Sequence, residues 1–223
     1  MFSLVYKKRD GLERTFNVIS YRSLTLSSIL SLSLCISSEI LAHDAQEGKV
    51  MATVGGLLSR LVHTPEGIGN PPLWGTGLTI EADANDKGGV EVSLFYLDNQ
   101  YSVQQGSSLL VERVHRIYIP LGYRRWVSDR LSWGASFFSS FRIGAYNPMY
   151  ASPGIDPNFT TSARDVTEYG FDVSVQWDLW RHNNYYLVID ARYSFPVTEQ
   201  PDEFSDVHMV FLGLKYEVQS KKE

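Results

Sequence analysis

Residues 168–180 read EYGFDVSVQWDLW, and the alternation in this stretch decides the fold. Tyr169, Phe171, Val173, Val175, Trp177 and Leu179 fall on one side, and Glu168, Gly170, Asp172, Ser174, Gln176 and Asp178 on the other. A period of two puts successive side chains on opposite faces of an extended chain. The run outlasts a common globular strand of about 5–6 residues and reaches the roughly 9–11 residues of a tilted membrane crossing. One face is wholly apolar and ends in aromatics, while the other holds only small or polar groups. A soluble sandwich strand carries the same alternation with its apolar face inward. The length favours a strand with one face to lipid and the other to a polar interior.

The device repeats along the chain. Leu131, Trp133, Ala135, Phe137, Ser139, Phe141 and Ile143 alternate with Ser132, Gly134, Ser136, Phe138, Ser140 and Arg142. Before a tight turn at 127–130, Ile117, Ile119, Leu121 and Tyr123 alternate with Arg116, Tyr118, Pro120, Gly122 and Arg124. Pro120 has no backbone N–H to give to a ladder, which predicts a local bulge there. Further strands are expected at Tyr185–Phe195, where Leu187, Ile189, Ala191 and Tyr193 alternate with Val188, Asp190, Arg192 and Ser194, and at Val207–Val218. Upstream lie Leu73–Asp83 and Val90 to about Tyr101, joined by turn residues 85–89.

Connection lengths supply an independent argument. Gaps at 85–89, 127–130 and 181–184 are short; those at 98–107, 145–165 and 196–205 are longer and rich in Pro, Asn, Ser and Asp. Bacterial outer-membrane barrels have short periplasmic turns, long external loops and an even strand number. An eighth strand must therefore precede the other seven, and Lys49–Val62 is the candidate, with 63–72 as the first external loop. Val50, Val54, Leu57, Leu58 and Leu61 have helical spacing, so an amphipathic helix is the alternative. Closure favours the strand, because an open sheet edge cannot sit in lipid. Trp126, Trp133, Trp177, Trp180, Tyr185, Tyr186 and Tyr216 bunch beside the short turns, as an interfacial girdle would.

Lys7, Lys8, Arg9, Arg14 and Arg22 precede the weakly charged apolar run 23–42. That order of basic region, apolar region and small residue reads as a signal peptide cleaved after Ala42. The expected division is a signal peptide, residues 1–42, and a barrel, residues 43–223. Cys35 is the single cysteine, and Leu34 before it argues against lipidation. A mature chain without cysteine has no disulfide framework and no thiolate metal site. The leader carries five basic and three acidic residues, so the remainder of this −5 chain holds about −7. With no Lys/Arg run, nucleic acid is not an expected partner.

At this point the chain resembles the small bacterial outer-membrane β-barrel superfamily, the group of eight-stranded OmpA- and OmpX-type domains. Gly213, Tyr216 and Val218 within FLGLKYEV resemble its C-terminal assembly β-signal of glycine, aromatic and hydrophobic residues. Phe211 stands where that signal is usually polar. The resemblance implies an all-β, eight-stranded antiparallel up-and-down transmembrane barrel. It also implies a place in the outer membrane of a Gram-negative bacterium among lipid and lipopolysaccharide, and handling by periplasmic chaperones and the barrel-assembly machinery. A monomer without cofactor is expected. No peptidoglycan-binding domain follows, so a cell-wall tether is not implied.

The expected lumen face collects Arg116, Arg124, Arg142, Glu168, Asp172, Asp178, Asp190, Arg192, Lys215 and Glu217. Mixed signs at alternate positions suggest a paired internal network, since buried charges need partners. An eight-stranded barrel has room for side chains or one small ligand. Trp180 and Asn184 bracket a short turn, so residues whose numbers sum to about 364 should face one another, Asp172 opposite Arg192 and Ser174 opposite Asp190. His63, His115 and His208 fall near the external rim, and His43 and His182 lie elsewhere; none has the spacing of a metal site or a nucleophile motif. Three function classes remain: a non-catalytic structural or surface-binding barrel, a lipid-modifying enzyme resembling the lipid A deacylases, and a narrow pore. Lumen filling disfavours the pore, the absence of a catalytic motif disfavours the enzyme, and the first class is the expectation.

Overall fold

The structure, a computed structural model, describes residues 47–64, 68–154, 156, 158–164, 167–199 and 203–218. The expected leader, its cleavage after Ala42, Cys35 and His43 all lie outside them. Eight long strands close on themselves: β1 (Val50–Leu61), β2 (Leu73–Asn85), β3 (Gly88–Gln105), β4 (Ser108–Trp126), β5 (Leu131–Ala151), β6 (Thr167–His182), β7 (Tyr185–Pro196) and β9 (Val207–Val218). A two-residue strand, β8 (Glu203–Phe204), joins the edge of β3 at Ser102 and Val103. All neighbours are antiparallel, and pairing of β1 with both β2 and β9 completes the ring. No helix among the described residues is long and apolar enough to cross a membrane.

β1 takes the strand form rather than the helix its Val and Leu spacing allows. Twelve consecutive residues, Val50 to Leu61, pair with β9 in one unbroken register. A helix here would leave the edges of β2 and β9 open, which lipid does not tolerate. Gly55 lies directly opposite both Gly77 and Gly213, a close approach that the side-chain-free glycines permit.

Three expectations are corrected. Residues 98–107 are not a long loop: β3 and β4 run on to a tight turn at Gly106 and Ser107, Gly106 taking φ +62°. β5 likewise continues past Ile143 to Ala151. Beyond the apolar belt the outward face is no longer uniformly apolar, so the apolar alternation fades from the sequence while the backbone ladder continues. Pro120 causes no bulge. Its partner on β5 is Phe138 in regular register, and the β3 ladder omits the rungs at Ser93 and Leu94 without shifting. The register shifts fall instead at Asp83/Asn85, Val111/Glu112, Arg113/His115 and Asp178/Trp180.

Outward positions form an apolar belt that includes Val54, Leu78, Val92, Leu94, Leu121, Phe137, Phe171, Val175, Val210 and Leu212. Trp177, Trp180, Tyr185 and Tyr216 are exposed beside the short turns, as a girdle requires. Trp126 and Tyr186 are the exceptions: both are buried and point inward, because each stands on the lumen parity of its strand.

The middle of the lumen is an apolar plug of Leu57, Leu61, Phe95, Leu97, Tyr118, Phe138, Val207, Met209 and Phe211. Phe95 stacks edge-on against Phe211, with centroids 5.3 Å apart, and Tyr118 lies 4.5 Å from Phe138. The inward Gly77 makes this packing possible, since a Cβ there would strike the ring of Phe95. Gly77→Leu should therefore overpack the plug and destabilise the barrel by about 1–3 kcal/mol. A urea titration in detergent micelles would read this, and an unchanged midpoint would show that the ring has room to move.

Candidate functional site

Inward positions toward the short-turn end are buried and mostly polar, with Met51, Trp126, Tyr186 and Val188 among them. Nearest that end, Lys215 Nζ sits 3.0 Å from Asp178 Oδ1, 3.9 Å from Glu81 Oε2 and 4.6 Å from the ring centre of Trp126. The next layer is built on two arginines. Arg124 donates to Glu91, to Ser132 and Ser174 at 3.1 Å each and to Asp190 at 3.1 Å. Arg192 donates to Asp190 at 2.6 and 2.9 Å, to Glu91 at 2.6 Å and to Asp172 at 3.3 Å. Asp172 also accepts from Tyr118 and Ser194 at 2.9 Å and from Ser136 at 3.2 Å.

Charge-assisted bonds of this kind are the strong ones, and a guanidinium offers five donors in a rigid fork. Arg124 on β4 thereby ties β3, β5, β6 and β7 together across the lumen. Arg192 on β7 ties β3 and β6. The network braces the barrel from inside and blocks the axis.

Of the lumen residues expected from sequence, Arg124, Asp172, Asp178, Asp190, Arg192 and Lys215 meet in these two layers. Arg116 and Glu168 stand apart, above the apolar plug, with Arg116 Nε 3.9 Å from Glu168 Oε2. Arg142 does not join the network. It lies half-buried toward the long-loop end and donates to the Arg164 carbonyl at 2.6 Å. Glu217 is half-buried at the short-turn rim, 3.0 Å from Lys49 Nζ and accepting from Tyr186 at 2.9 Å.

The expected register is off by two. Asp172 faces Ser194, Ser174 faces Arg192 and Gln176 faces Asp190, because the strands run on to close at His182 and Tyr185 on a two-residue turn, and the bulge at Asp178/Trp180 takes back only one residue of that offset. Parity is unchanged by a shift of two, so the same side chains still point inward. Asp172 and Arg192 touch diagonally.

Sequence reading missed Glu81 and Glu91, both buried in the network. The signal was present: Leu78 and Ile80 alternate with Thr79, Glu81 and Asp83, and Val90 and Val92 with Glu91 and Ser93. It also missed Glu112 and Glu203, which hold a cap over the long-loop end. Glu112 accepts from Thr161 at 2.5 Å and from Arg164 at 3.0 and 3.2 Å. Glu203 accepts from the Ser162 backbone N–H at 2.9 Å and its hydroxyl at 2.5 Å. Ala163, in the short helical turn Ser162–Arg164, packs with Tyr101 and Val114 beneath. Nothing in a linear sequence couples residue 112 to residue 161.

Of the rim histidines, His63 and His208 lie near one another, at the ends of strands that meet on closure. His115 faces outward, paired with Asp98 and stacked on Tyr96. His208 lies against Tyr193, with ring centres 5.2 Å apart. Among the described residues no three of His, Cys, Asp or Glu come together as a metal site. Gly213 of the β-signal points inward onto Thr53 and Phe211, while Tyr216 and Val218 lie on the exposed outer face.

No protein-family model and no curated protein sequence matches the chain. Solved structures do. The outer membrane protein OprG from Pseudomonas aeruginosa aligns over 82% of this chain and all of its own, at 12% identity and TM-score 0.52. Ail, the attachment invasion locus protein of Yersinia pestis, aligns over 78% of this chain and all of its own, at 15% identity and TM-score 0.46. AlkL in lipid bilayers aligns over 84% of this chain and 95% of its own, at 12% identity and TM-score 0.42. The likeness to OprG shows the fold, that of the small outer-membrane β-barrels.

Proposed function

We propose that this chain is an integral outer-membrane protein whose barrel is a closed, non-catalytic support and whose long-loop end is its working surface. The carrying observation is the filled lumen beneath an exposed apolar belt. Arg124, Arg192 and Lys215 are buried against Glu81, Glu91, Asp172, Asp178 and Asp190, and an aromatic plug lies over them. A lumen so cross-linked leaves no water-filled path for solutes. The belt supplies the lipid-facing surface that a barrel in a membrane needs.

The surface left for recognition is the ribbon of β4 and β5 above the belt. Residues 143–151 of β5 are exposed throughout, Tyr146, Met149 and Tyr150 among them. Outer-membrane lipid and lipopolysaccharide surround the barrel in this reading, and nucleic acid has no part in it. The leader 1–42 directs export, and Gly213, Tyr216 and Val218 present the assembly signal to the barrel-assembly machinery.

Purified folded protein in a planar lipid bilayer should give no steady ionic conductance, and fractionated cells should hold it in the outer membrane with heat-modifiable gel mobility. Reproducible single-channel steps would overturn the closed-barrel reading. Recovery from the soluble fraction would overturn the membrane reading. Intact-mass measurement of the membrane-purified protein should start near His43, and retention of residues 1–42 would refute cleavage.

A further inference from the structure

Three outward side chains form one row across the seam where the barrel closes. Arg60 on β1 is the register partner of His208 on β9, and His208 is the partner of Tyr193 on β7. Arg60 and His208 are exposed, and His63 lies near His208 at the long-loop end. Among the described residues Arg60 makes no ion pair. The nearby acid, Asp206, is buried and accepts the Tyr193 hydroxyl at 2.8 Å, which leaves Arg60 as the main anchor of the row.

Below the row the same strands turn only apolar side chains outward: Leu58 beside Val210, then Val54 beside Leu214, down to the ring pair of Tyr185 and Tyr216. Eight residues separate His208 from Tyr216 on β9. At about 3.4 Å per residue and a tilt of about 40°, they rise roughly 20 Å, close to the full height of a lipid-facing band of about 25 Å. Arg60 and His208 therefore stand at the outer boundary of the belt, where acyl chains end and headgroups begin.

A cationic pair at the head of an apolar column matches an amphiphile with an anionic head. The planar guanidinium fork fits a phosphate through two parallel bonds, and either tautomer of the adjacent imidazole adds an N–H donor. An arginine that merely reached for water would need no second donor in register beside it.

We propose that Arg60 and His208 bind the phosphate headgroup of an acylated lipid in the external leaflet, whose chains lie on Leu58, Val210 and Val54 below. The inference deepens the membrane reading and rests on it, since the belt must face lipid. It is independent of the β4–β5 ribbon.

Native mass spectrometry of the full-length folded barrel, released from detergent micelles, tests the site. The probes are dipalmitoyl phosphatidic acid and dipalmitoylglycerol, which share their chains and differ in the phosphate. One phosphatidic acid per barrel should be retained, about tenfold more tightly than the diacylglycerol, as a charge-assisted phosphate contact implies. Arg60→Gln and His208→Gln should each remove that preference and keep the heat-modifiable mobility, while Arg125→Gln, exposed at the short-turn end, should leave it intact. Inorganic phosphate at the same concentration should not displace the lipid. Equal retention of both lipids, a preference that survives both site variants, or displacement by inorganic phosphate would each overturn the site. Those outcomes leave the membrane reading untouched; recovery of the protein from the soluble fraction is what would remove both.

Discussion

Replacing Arg192 by methionine is expected to destabilise the folded barrel by about 3–5 kcal/mol, the typical cost of removing one partner from a buried ion cluster. Arg192 is fully buried and answers three carboxylates at once: Asp190, Glu91 and Asp172. Methionine fills much of the volume but donates nothing, so Glu91 and Asp190 keep Arg124 while Asp172 keeps only the hydroxyls of Tyr118, Ser194 and Ser136. The midpoint of urea unfolding in lipid vesicles reads the loss. Double-mutant cycles divide it, since the coupling term isolates each pair when the single variants make no new contacts. The Glu91–Arg192 contact is 2.6 Å and the Asp172–Arg192 contact 3.3 Å, so the first pair should couple more strongly. A total loss below about 1 kcal/mol, the value of an exposed pair, would mean that water reaches the cluster.

Val175→Arg should cost about 2–4 kcal/mol, the penalty for a lipid-facing arginine near the bilayer midplane. Val175 is 46% exposed in the middle of the belt on β6. From the sequence alone the neighbouring Ser174→Arg is expected to be mild, because a lumen arginine would join the charge network. The packing reverses that expectation. Ser174 Oγ is 3.1 Å from Arg124 Nη2, and it sits where even a Cβ on Gly134 would collide with it, at 2.6 Å. Ser174→Arg should therefore destabilise as well, through overpacking and like charge. Conservative variants separate the two causes: Val175→Leu should leave the unfolding midpoint unchanged, whereas Ser174→Leu should lower it. If Val175→Arg is tolerated, the belt does not face lipid.

Parity in this protein is a local property, and alternation carries it. Residues 168–180 display both faces of β6, and the inward direction of Asp172, Asp178, Asp190 and Arg192 follows from counting by twos. Short and long gaps pointed to an even strand number, though the gap at 98–107 is strand and a two-residue turn, and closure required β1 where Val/Leu spacing allowed a helix. Each of these rests on chain-local geometry or on a rule that lipid imposes on every barrel.

Register and reach are not local. The hairpin closes at His182 and Tyr185 rather than at Trp180 and Asn184, and the bulge at Asp178/Trp180 takes back one residue, which together leave Asp172 two residues along β7 from the expected partner. The tall β3–β5 ribbon was hidden because apolar alternation marks only the belt, and the strands run on above it. The partners of Arg124 come from β3, β5, β6 and β7, and the cap joins Glu112 to Thr161 and Glu203 to Ser162, contacts between residues as many as 66 apart that are set by the closed barrel. Sequence by itself determined which side chains enter the lumen. Which of them meet there was decided by strand register and barrel curvature, because those set distances across the lumen that no spacing along the chain encodes.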